Sequence, residues 1–380
     1  MNVYLDNAAT TRLSDDHIEY LTGIMKDCFG NPNSNHSVGD KARVVVEEAR
    51  DTVAKFINAD SENIIFTPSG SASNTLGIKG YNDSCGGRHI CIIYSPIAHK
   101  SIIKYMESHE TEAYPKKLRV DDNGLINNDY LESQLKVCNR FHYQPFVVID
   151  YANSEIGVIQ DVKRIISITH KYGGIVYLDC TASIPSIKLD VKELDVDIVG
   201  FSGHKLGALK GIGVLYKKED IKLKPLVYGA QEFGLVGGTS NVLSIASLGY
   251  AISNYNYSTH SNCTKRDHLL HYIFEMIDGC RLVGDINNRL STNLNMMFDG
   301  IDSSRLIQLL DDNGIQVSSG SACNSGTSLP SYVLKAIGLS DEDAKHCIRI
   351  SLSGNETVEE LDYFVNILIY CVNVIRNGVV

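Results

Sequence analysis

The sequence predicts an α/β fold in which short apolar strands alternate with amphipathic helices. Apolar runs of four or five residues recur between helical stretches over the first two thirds of the chain. This alternation is typical of a doubly wound, largely parallel sheet that helices cover on both faces. After residue 255 the pattern changes, which predicts a smaller α+β unit. A chain of 380 residues is long enough to form both units.

The predicted strands of the larger unit are short, and several end in polar residues. We place strands at Ile64–Thr67, His89–Ile93, Phe146–Asp150, Ile175–Asp179, Asp197–Phe201 and Gly213–Tyr216, with helices such as Val38–Phe56 and Val162–Tyr172 between many of them. Open α/β sheets bind ligands outside the carboxyl ends of their strands. We therefore expect the functional residues to follow these strand ends.

The smaller unit begins with a long helix and ends with another. We predict helix Thr264–Ile277, strands near Arg281–Val283, Thr292–Met297 and Cys347–Leu352, and a closing helix over Phe364–Ile375. Two asparagines interrupt the closing apolar stretch, which is also too short to cross a bilayer. It is predicted to be amphipathic instead.

The composition indicates a soluble enzyme and excludes several other classes. Hydrophobic residues make up 43% of the chain and charged residues 21%, and the net charge of −10 argues against a nucleic-acid binder. Ten cysteines without a recognisable signal peptide predict a reducing, cytoplasmic compartment. No CxxC pair occurs, so no metal site is expected.

Lys205 and Asp179 are the most informative single residues. Lys205 lies in Ser202-Gly203-His204-Lys205, just beyond an apolar strand. Burying an ammonium is costly, and a Schiff base with an aldehyde cofactor would neutralise it. Asp179 ends another strand, where a carboxylate can keep a pyridinium nitrogen protonated. A solvated loop lysine and a turn-capping aspartate are the simpler alternatives.

A run of small polar residues follows the first strand of the sheet. Pro68 to Asn74 combines glycine and hydroxyl residues at a predicted helix start, which suits a phosphate. An ordinary serine or asparagine helix cap explains the same residues without a ligand.

Two residues of the smaller unit complete the candidate set. Cys323 lies among glycines and serines in Gln316 to Ser328, which predicts a mobile loop with an accessible thiol. Arg349 interrupts an apolar strand and therefore needs an anionic partner, either a substrate carboxylate or an acidic residue of the chain.

Taken together, these segments resemble those of the cysteine desulfurases of the NifS/IscS type. That family belongs to the class V aminotransferase-like group of fold type I pyridoxal-phosphate (PLP) enzymes. The matching segments are Tyr4-Leu5-Asp6-Asn7-Ala8-Ala9-Thr10-Thr11, Gly30 to His36, Ala152 to Gln160, Ser202 to Lys205, Ser318 to Cys323 and Pro330 to Leu334. Each segment is weakly specific, but their common order along nearly the whole chain is strongly specific.

The resemblance implies a large domain with a mostly parallel sheet of the seven-stranded type and a smaller α+β domain. The large, cofactor-binding domain is expected over residues 15–255. The small domain is expected over residues 1–14 and 256–380, and it carries the cysteine loop and the substrate-binding arginine.

The resemblance also implies a role for each candidate residue. Lys205 holds PLP covalently and moves a proton, Asp179 pairs with the pyridinium nitrogen, and His99 stacks on the ring and assists proton transfer. Gly70, Ser71, Ser202 and His204 hold the phosphate, and Thr239 reaches the phosphate site of the second subunit of a homodimer. Asn153 contacts cofactor and substrate, Arg349 grips the substrate carboxylate, and Cys323 is the nucleophile.

The implied reaction converts L-cysteine to L-alanine. The sulfur is transferred to Cys323 as a persulfide and then to an acceptor protein. The cysteine thiolate is the reactive form, and small residues around it permit the loop movement that transfer requires. No direct role with nucleic acid or membrane is expected.

Four departures from the family pattern make a variant or slow desulfurase the expectation. Ala182 stands where a glutamine normally donates to the cofactor phenolate. Ser71-Ala72-Ser73 replaces Thr-Glu-Ser, Phe233 and Val236 replace common arginines, and Ser353-Gly354 replaces Gly-Arg. Two alternatives stay open: a selenocysteine lyase or other PLP lyase on the same fold, and a catalytically weakened scaffold for sulfur assembly.

Overall fold

The computed structural model describes residues 1–85, 89–108, 113–257, 263–319 and 330–378. Its strands are β1 Val3–Tyr4, β2 Ile64–Thr67, β3 Ile90–Tyr94, β4 Tyr114–Lys117, β5 Gln144–Asp150, β6 Ile175–Asp179, β7 Ile198–Ser202, β8 Gly213–Lys217, β9 Cys280–Leu282, β10 Asn293–Phe298, β11 Ile315–Gln316 and β12 Cys347–Ser351.

Helices occupy most of the connections between these strands. They are α1 Asp15–Asp27, α2 Ser37–Phe56, α3 Gly70–Ser84, α4 Lys100–Glu107, α5 Asn128–Arg140, α6 Val162–Lys171, α7 Val191–Leu194, α8 Val242–Ser253, α9 Thr264–Met276, α10 Ser303–Asp312, α11 Tyr332–Ala336 and α12 Val358–Arg376. Within the described ranges, no helix is long and apolar enough to cross a membrane.

The central sheet has seven strands in the order β2-β8-β7-β6-β5-β3-β4. Strands β7, β6, β5, β3 and β4 are parallel, whereas β8 runs antiparallel to both β7 and β2. The predicted α/β class and mostly parallel sheet are therefore confirmed. The predicted strands of this sheet agree with the observed ones to within two residues at either end.

Register brings three strand ends together at one edge of the sheet. Asp150 of β5 pairs with Asp179 of β6, and Asp179 pairs with Gly200 of β7. Because these strands are parallel, the segments that follow them all leave at the same edge. This edge is where the candidate residues were expected.

Alternation along the strands builds a core on each face of the sheet. Val147 and Ile149 face one buried cluster, and Phe146 and Val148 face the other. Successive side chains of a strand point to opposite faces, so a strand buried on both faces is apolar throughout. The continuous apolar run that predicted β5 follows from this double burial.

A separate core lies under the smaller sheet, which has the strand order β12-β10-β9. It joins α9 and α12 to the beginning of the chain, since Val3 and Leu5 are buried within it. Strand β1 pairs with β11, and Asp6 forms a bridge with Ser351. This arrangement supports grouping the N-terminus with the second half of the chain, although the domain limits 1–14, 15–255 and 256–380 stay a prediction.

Candidate active site

A cavity of about 280 Å³ lies at the carboxyl edge of the central sheet. It is lined by most of the residues that the sequence singled out. These are Gly70, Ser71, His99, Asn153, Asp179, Ser202, His204, Lys205 and Arg349. Residues from both halves of the chain therefore meet around one space.

Lys205 reaches this cavity from a single 3-10 turn, Gly203–Lys205, directly after β7. The backbone N–H of Gly203 donates to the carbonyl of Ile212 at 3.0 Å, which ties the turn to the start of β8. A lysine on a turn between two central strands is held by the sheet itself, and its half-buried side chain points to the cavity rather than to bulk water.

Asp179 is held in place by two hydrogen bonds. Its Oδ2 accepts from Asn74 Nδ2 at 2.7 Å, and its Oδ1 accepts from the backbone N–H of Thr181 at 2.9 Å. The Tyr177 hydroxyl donates to Asn74 Oδ1 at 2.6 Å, which fixes the orientation of the amide. These bonds fix both oxygens of the Asp179 carboxyl group in position.

A polar recess suitable for an anion lies beside the first turn of α3. Ser69 caps this helix by accepting from the N–H of Ala72, and Gly70 and Ser71 follow at the cavity wall. A Cβ on Gly70 would lie 3.1 Å from Ser202 Cβ, so glycine keeps the recess open. Within the described residues, Ser202 Oγ and His204 Nδ1 are buried without a hydrogen-bond partner.

Both histidines of the site are poorly suited to carry a charge. Burial, reinforced by the nearby Lys205 and Lys210, lowers the pKa of His204 to about 4. Burial also lowers the pKa of His99, against the opposing effect of Asp179. The neutral ring of His99 accepts from the backbone N–H of Ser101 at its Nδ1, at 3.2 Å, so this nitrogen is the unprotonated one.

Asn153 lines the cavity but also organises its own turn. Its Nδ2 donates to the carbonyl of Ile97 at 2.8 Å, and its Oδ1 accepts from the N–H groups of Glu155 and Ile156. These bonds connect the loop after β5 to the loop after β3.

Arg349 is buried and forms an ion pair with Asp6 at 2.6 Å. A second guanidinium nitrogen donates to the carbonyl of Ser154 at 3.2 Å. An acidic residue of the chain was one of the two partners that the sequence allowed for this arginine. An external carboxylate has to share the guanidinium with Asp6 or displace it.

Three buried polar residues of the cavity wall had been given no role. Asn74 orients Asp179, Asp150 is the register partner of Asp179, and Glu155 lies close to Arg349. Asp150 ends its strand as Asp179 does, and this parallel was the available signal. No pattern in the sequence predicts that Asn74 lies next to Asp179 or that Glu155 lies next to Arg349.

The space beside Ala182 is open. Ala182 and Lys205 both line the main cavity and a smaller adjoining one of about 40 Å³. An alanine methyl offers no hydrogen-bond donor at this position. The departure noted in the sequence therefore coincides with extra room next to Lys205.

One predicted residue lies elsewhere, and another falls outside the described part of the chain. Thr239 is exposed and does not line the cavity of its own chain. Cys323 lies outside the described residues.

Comparison with known proteins gives consistent matches over nearly the whole chain. The family model described as Aminotransferase class-V matches residues 3–364. The chain is 34% identical to the cysteine desulfurase IscS of Dictyoglomus turgidum, over 96% of this chain and 93% of that protein. It is 35% identical to IscS of Rickettsia rickettsii, over 96% of this chain and 90% of the relative.

Solved structures agree with these sequence matches. A protein described as NifS-like superposes with a TM-score of 0.89 at 30% identity, covering 97% of this chain and 99% of the other. A structure described as SspA in complex with cysteine gives a TM-score of 0.82 at 28% identity, covering 94% of this chain and 100% of the other.

Proposed function

The chain belongs to the class-V aminotransferase family and, within it, to the cysteine desulfurases of the NifS/IscS type, and from this premise we propose that it converts L-cysteine to L-alanine and passes the sulfur to Cys323. Members of this family are PLP enzymes. The observation that carries the proposal is the convergence of Lys205, Asp179 and an open polar recess on one cavity.

The residues present fit PLP. Lys205 would hold its aldehyde carbon covalently, and Asp179 would face its ring nitrogen. The unpartnered Ser202 Oγ and His204 Nδ1, together with the start of α3, would hold its phosphate. His204 is neutral at physiological pH, so its ring can adopt the tautomer with hydrogen on Nδ1, which would donate to a phosphate oxygen. Bound PLP supplies an electron sink for negative charge that develops at the substrate Cα.

The remaining chemistry falls to the side chains of the chain. Lys205 is the base that removes the Cα proton. The neutral His99, which lines the same cavity, assists the proton movement. Arg349 binds the substrate carboxylate, which displaces Asp6 from the guanidinium.

The Cys323 thiolate attacks the substrate sulfur, and the bond between that sulfur and the substrate Cβ breaks. The electron pair of this bond stays with the carbon, which takes up a proton to give L-alanine. Cys323 retains the sulfur as a persulfide, and an acceptor protein then removes the outer sulfur.

The first test is the visible absorption spectrum of the purified protein, followed by L-cysteine addition and mass spectrometry. We expect a band of lysine-bound PLP that Lys205→Ala abolishes, with alanine released and persulfide on Cys323. Cys323→Ser should keep the band and lose the persulfide. The exposed Cys263 offers the matched control, because Cys263→Ser should change neither.

The same experiment separates the alternatives. A band without persulfide would overturn the desulfurase proposal in favour of a selenocysteine lyase or other PLP lyase. Absence of any band would favour a scaffold for sulfur assembly.

We further propose a homodimer in which Thr239 completes the site of the partner subunit. Thr239 is exposed and does not line the cavity of its own chain, and both observations support this assignment. In chains carrying either Lys205→Ala or Thr239→Ala, every homodimer site lacks one of the two groups. Co-expression should restore activity, because each mixed dimer has one site with both groups. Two inactive chains that stay inactive as mixed dimers would contradict the shared site.

We also propose that the protein is cytoplasmic and that it passes the sulfur to an acceptor protein. A net charge of −10 favours an acceptor that presents a basic surface.

A further inference from the structure

Two neighbouring strands of the central sheet each end in a buried aspartate. Asp150 of β5 and Asp179 of β6 are register partners, and only 7% and 4% of their surfaces are exposed. Both line the cavity that contains Lys205. Register partners on adjacent strands point to the same face with about 5 Å between their Cβ atoms.

Two ionised carboxylates this close in a buried site repel each other strongly. When like charges share such a site, one group keeps its proton. The hydrogen bonds decide which group that is. Asp179 accepts from Asn74 at 2.7 Å and from the backbone of Thr181 at 2.9 Å. Among the described residues, Asp150 accepts only one bond, from the backbone N–H of His99 at 3.3 Å.

The other groups around Asp150 do not change this assignment. Tyr177 and Cys180, from β6 and the residue after it, both have a raised pKa because they are buried, so they are neutral. His99 is neutral for the reason given above. In the part of the chain that the structure describes, Lys205 is the one cation that acts on Asp150. Its effect is smaller than those of burial and Asp179, which raise the pKa of Asp150 well above its usual range.

We propose that Asp150 is a positioning residue that carries the proton of this carboxyl pair at neutral pH and leaves the single negative charge on Asp179. The ring nitrogen of bound PLP then meets one anion with a fixed position. This consequence for PLP rests on the function proposed above, whereas the proton assignment concerns the carboxyl pair alone.

Infrared spectroscopy tests the assignment directly. The full-length protein is prepared with ¹³C at its aspartate carboxyls, so that signals from glutamates such as Glu155 are excluded. We expect a protonated-carboxyl band at neutral pH that is completely lost in Asp150→Asn. Asp220→Asn, which alters an exposed aspartate, should leave the band unchanged.

A second variant tests the coupling. Asp179→Asn removes the neighbouring charge, so the band of Asp150 should disappear at a lower pH than in the unmodified protein. The proposal is wrong if the unmodified protein lacks the band at neutral pH, if Asp150→Asn retains it, or if Asp179→Asn leaves its pH dependence unchanged.

The experiment is independent of desulfurase activity. A protein that shows the acid band of Asp150 but no visible PLP band would retain the proton assignment and refute the proposed function. A PLP-loaded, active protein without the acid band would support the proposed function and refute the proton assignment.

Discussion

At the scale of single residues, burial is the main cause of the pKa shift of Glu155 in the cavity. Glu155 is 4% exposed, and its Oε1 has no hydrogen-bond partner within the described residues. Burial raises its pKa to about 7, against the opposing effects of Ser331 and Arg349. The cavity therefore contains a carboxyl that titrates close to physiological pH.

This titration makes the stability of the fold depend on pH. The folded-state pKa of Glu155 lies above its unfolded value of 4.5, so its contribution is fully present below pH 4.5 and is lost as the pH rises to about 7. The loss amounts to roughly 3 kcal/mol. Glu155→Gln should remove this part of the pH dependence, which denaturant unfolding between pH 4.5 and 7.5 would measure. The same slope in both proteins would show that Glu155 is not the titrating group.

The network behind Asp179 depends on a close approach between two strands. A Cβ on Gly200 of β7 would overlap the hydroxyl of Tyr177, which orients Asn74. Gly200→Ala should therefore destabilise the protein by about 1–3 kcal/mol and weaken PLP binding.

Gly23→Ala is the matched control, because Gly23 is exposed and its added methyl would meet no atom within 4 Å. It should be neutral or stabilising. Thermal unfolding and PLP titration measure both variants. Equal PLP affinity in Gly200→Ala and the unmodified protein would disprove the role of the tyrosine hydroxyl.

At the scale of elements, local sequence signals are most reliable where a helix or strand is long and strongly patterned. The run Ile175–Asp179 and the helix after Asp161 appear where they were expected. Strand β4 was missed because Tyr-Pro-Lys-Lys contains proline and two lysines. Those residues are typical of a strand at a sheet edge, where β4 lies, rather than of a central one.

The helix α12 gives a direct test of a local signal. The Thr357 hydroxyl accepts from the backbone N–H of Glu360, and the Glu360 carboxylate accepts from the backbone N–H of Thr357. Thr357→Ala should cost about 1 kcal/mol of unfolding free energy. Thr52→Ala, at a partly exposed position of α2, should change stability less, because within the described residues its hydroxyl bonds only a carbonyl of its own helix. Comparable losses in the two variants would argue against the cap.

At the scale of the whole molecule, residues far apart in sequence are joined at one site. Most of the residues that line the cavity could be predicted from the sequence, because their motifs follow predicted strands. The ends of parallel strands meet at one edge of the sheet. The pairing of Arg349 with Asp6 was not foreseeable, since neither local pattern nor periodicity relates positions 343 residues apart. The same reason explains why the proximity of Glu155 to Arg349 was missed.

That ion pair connects the start of the chain to its last strand. Arg349 is buried and Asp6 is partly buried, so Asp6→Asn leaves the arginine charge uncompensated and should destabilise the protein by roughly 3 kcal/mol. The exposed pair between Asp40 and Arg43 provides a comparison, and Asp40→Asn should have a much smaller effect. Chemical unfolding measures both, and similar effects would show that burial adds nothing to the pair.

The docking of strand β1 also sets an order of events during synthesis. Val3 and Leu5 are synthesised long before their partners, because β1 pairs with Ile315–Gln316 and the Asp6 bridge forms with Ser351. The residues of β1 must therefore wait until β11 and β12 have been synthesised before they reach their places. The cavity wall that includes Ala8 and Arg349 is closed only after β12 has joined the smaller sheet. The nascent sheet has to stay soluble until then, without the second core that completes the molecule.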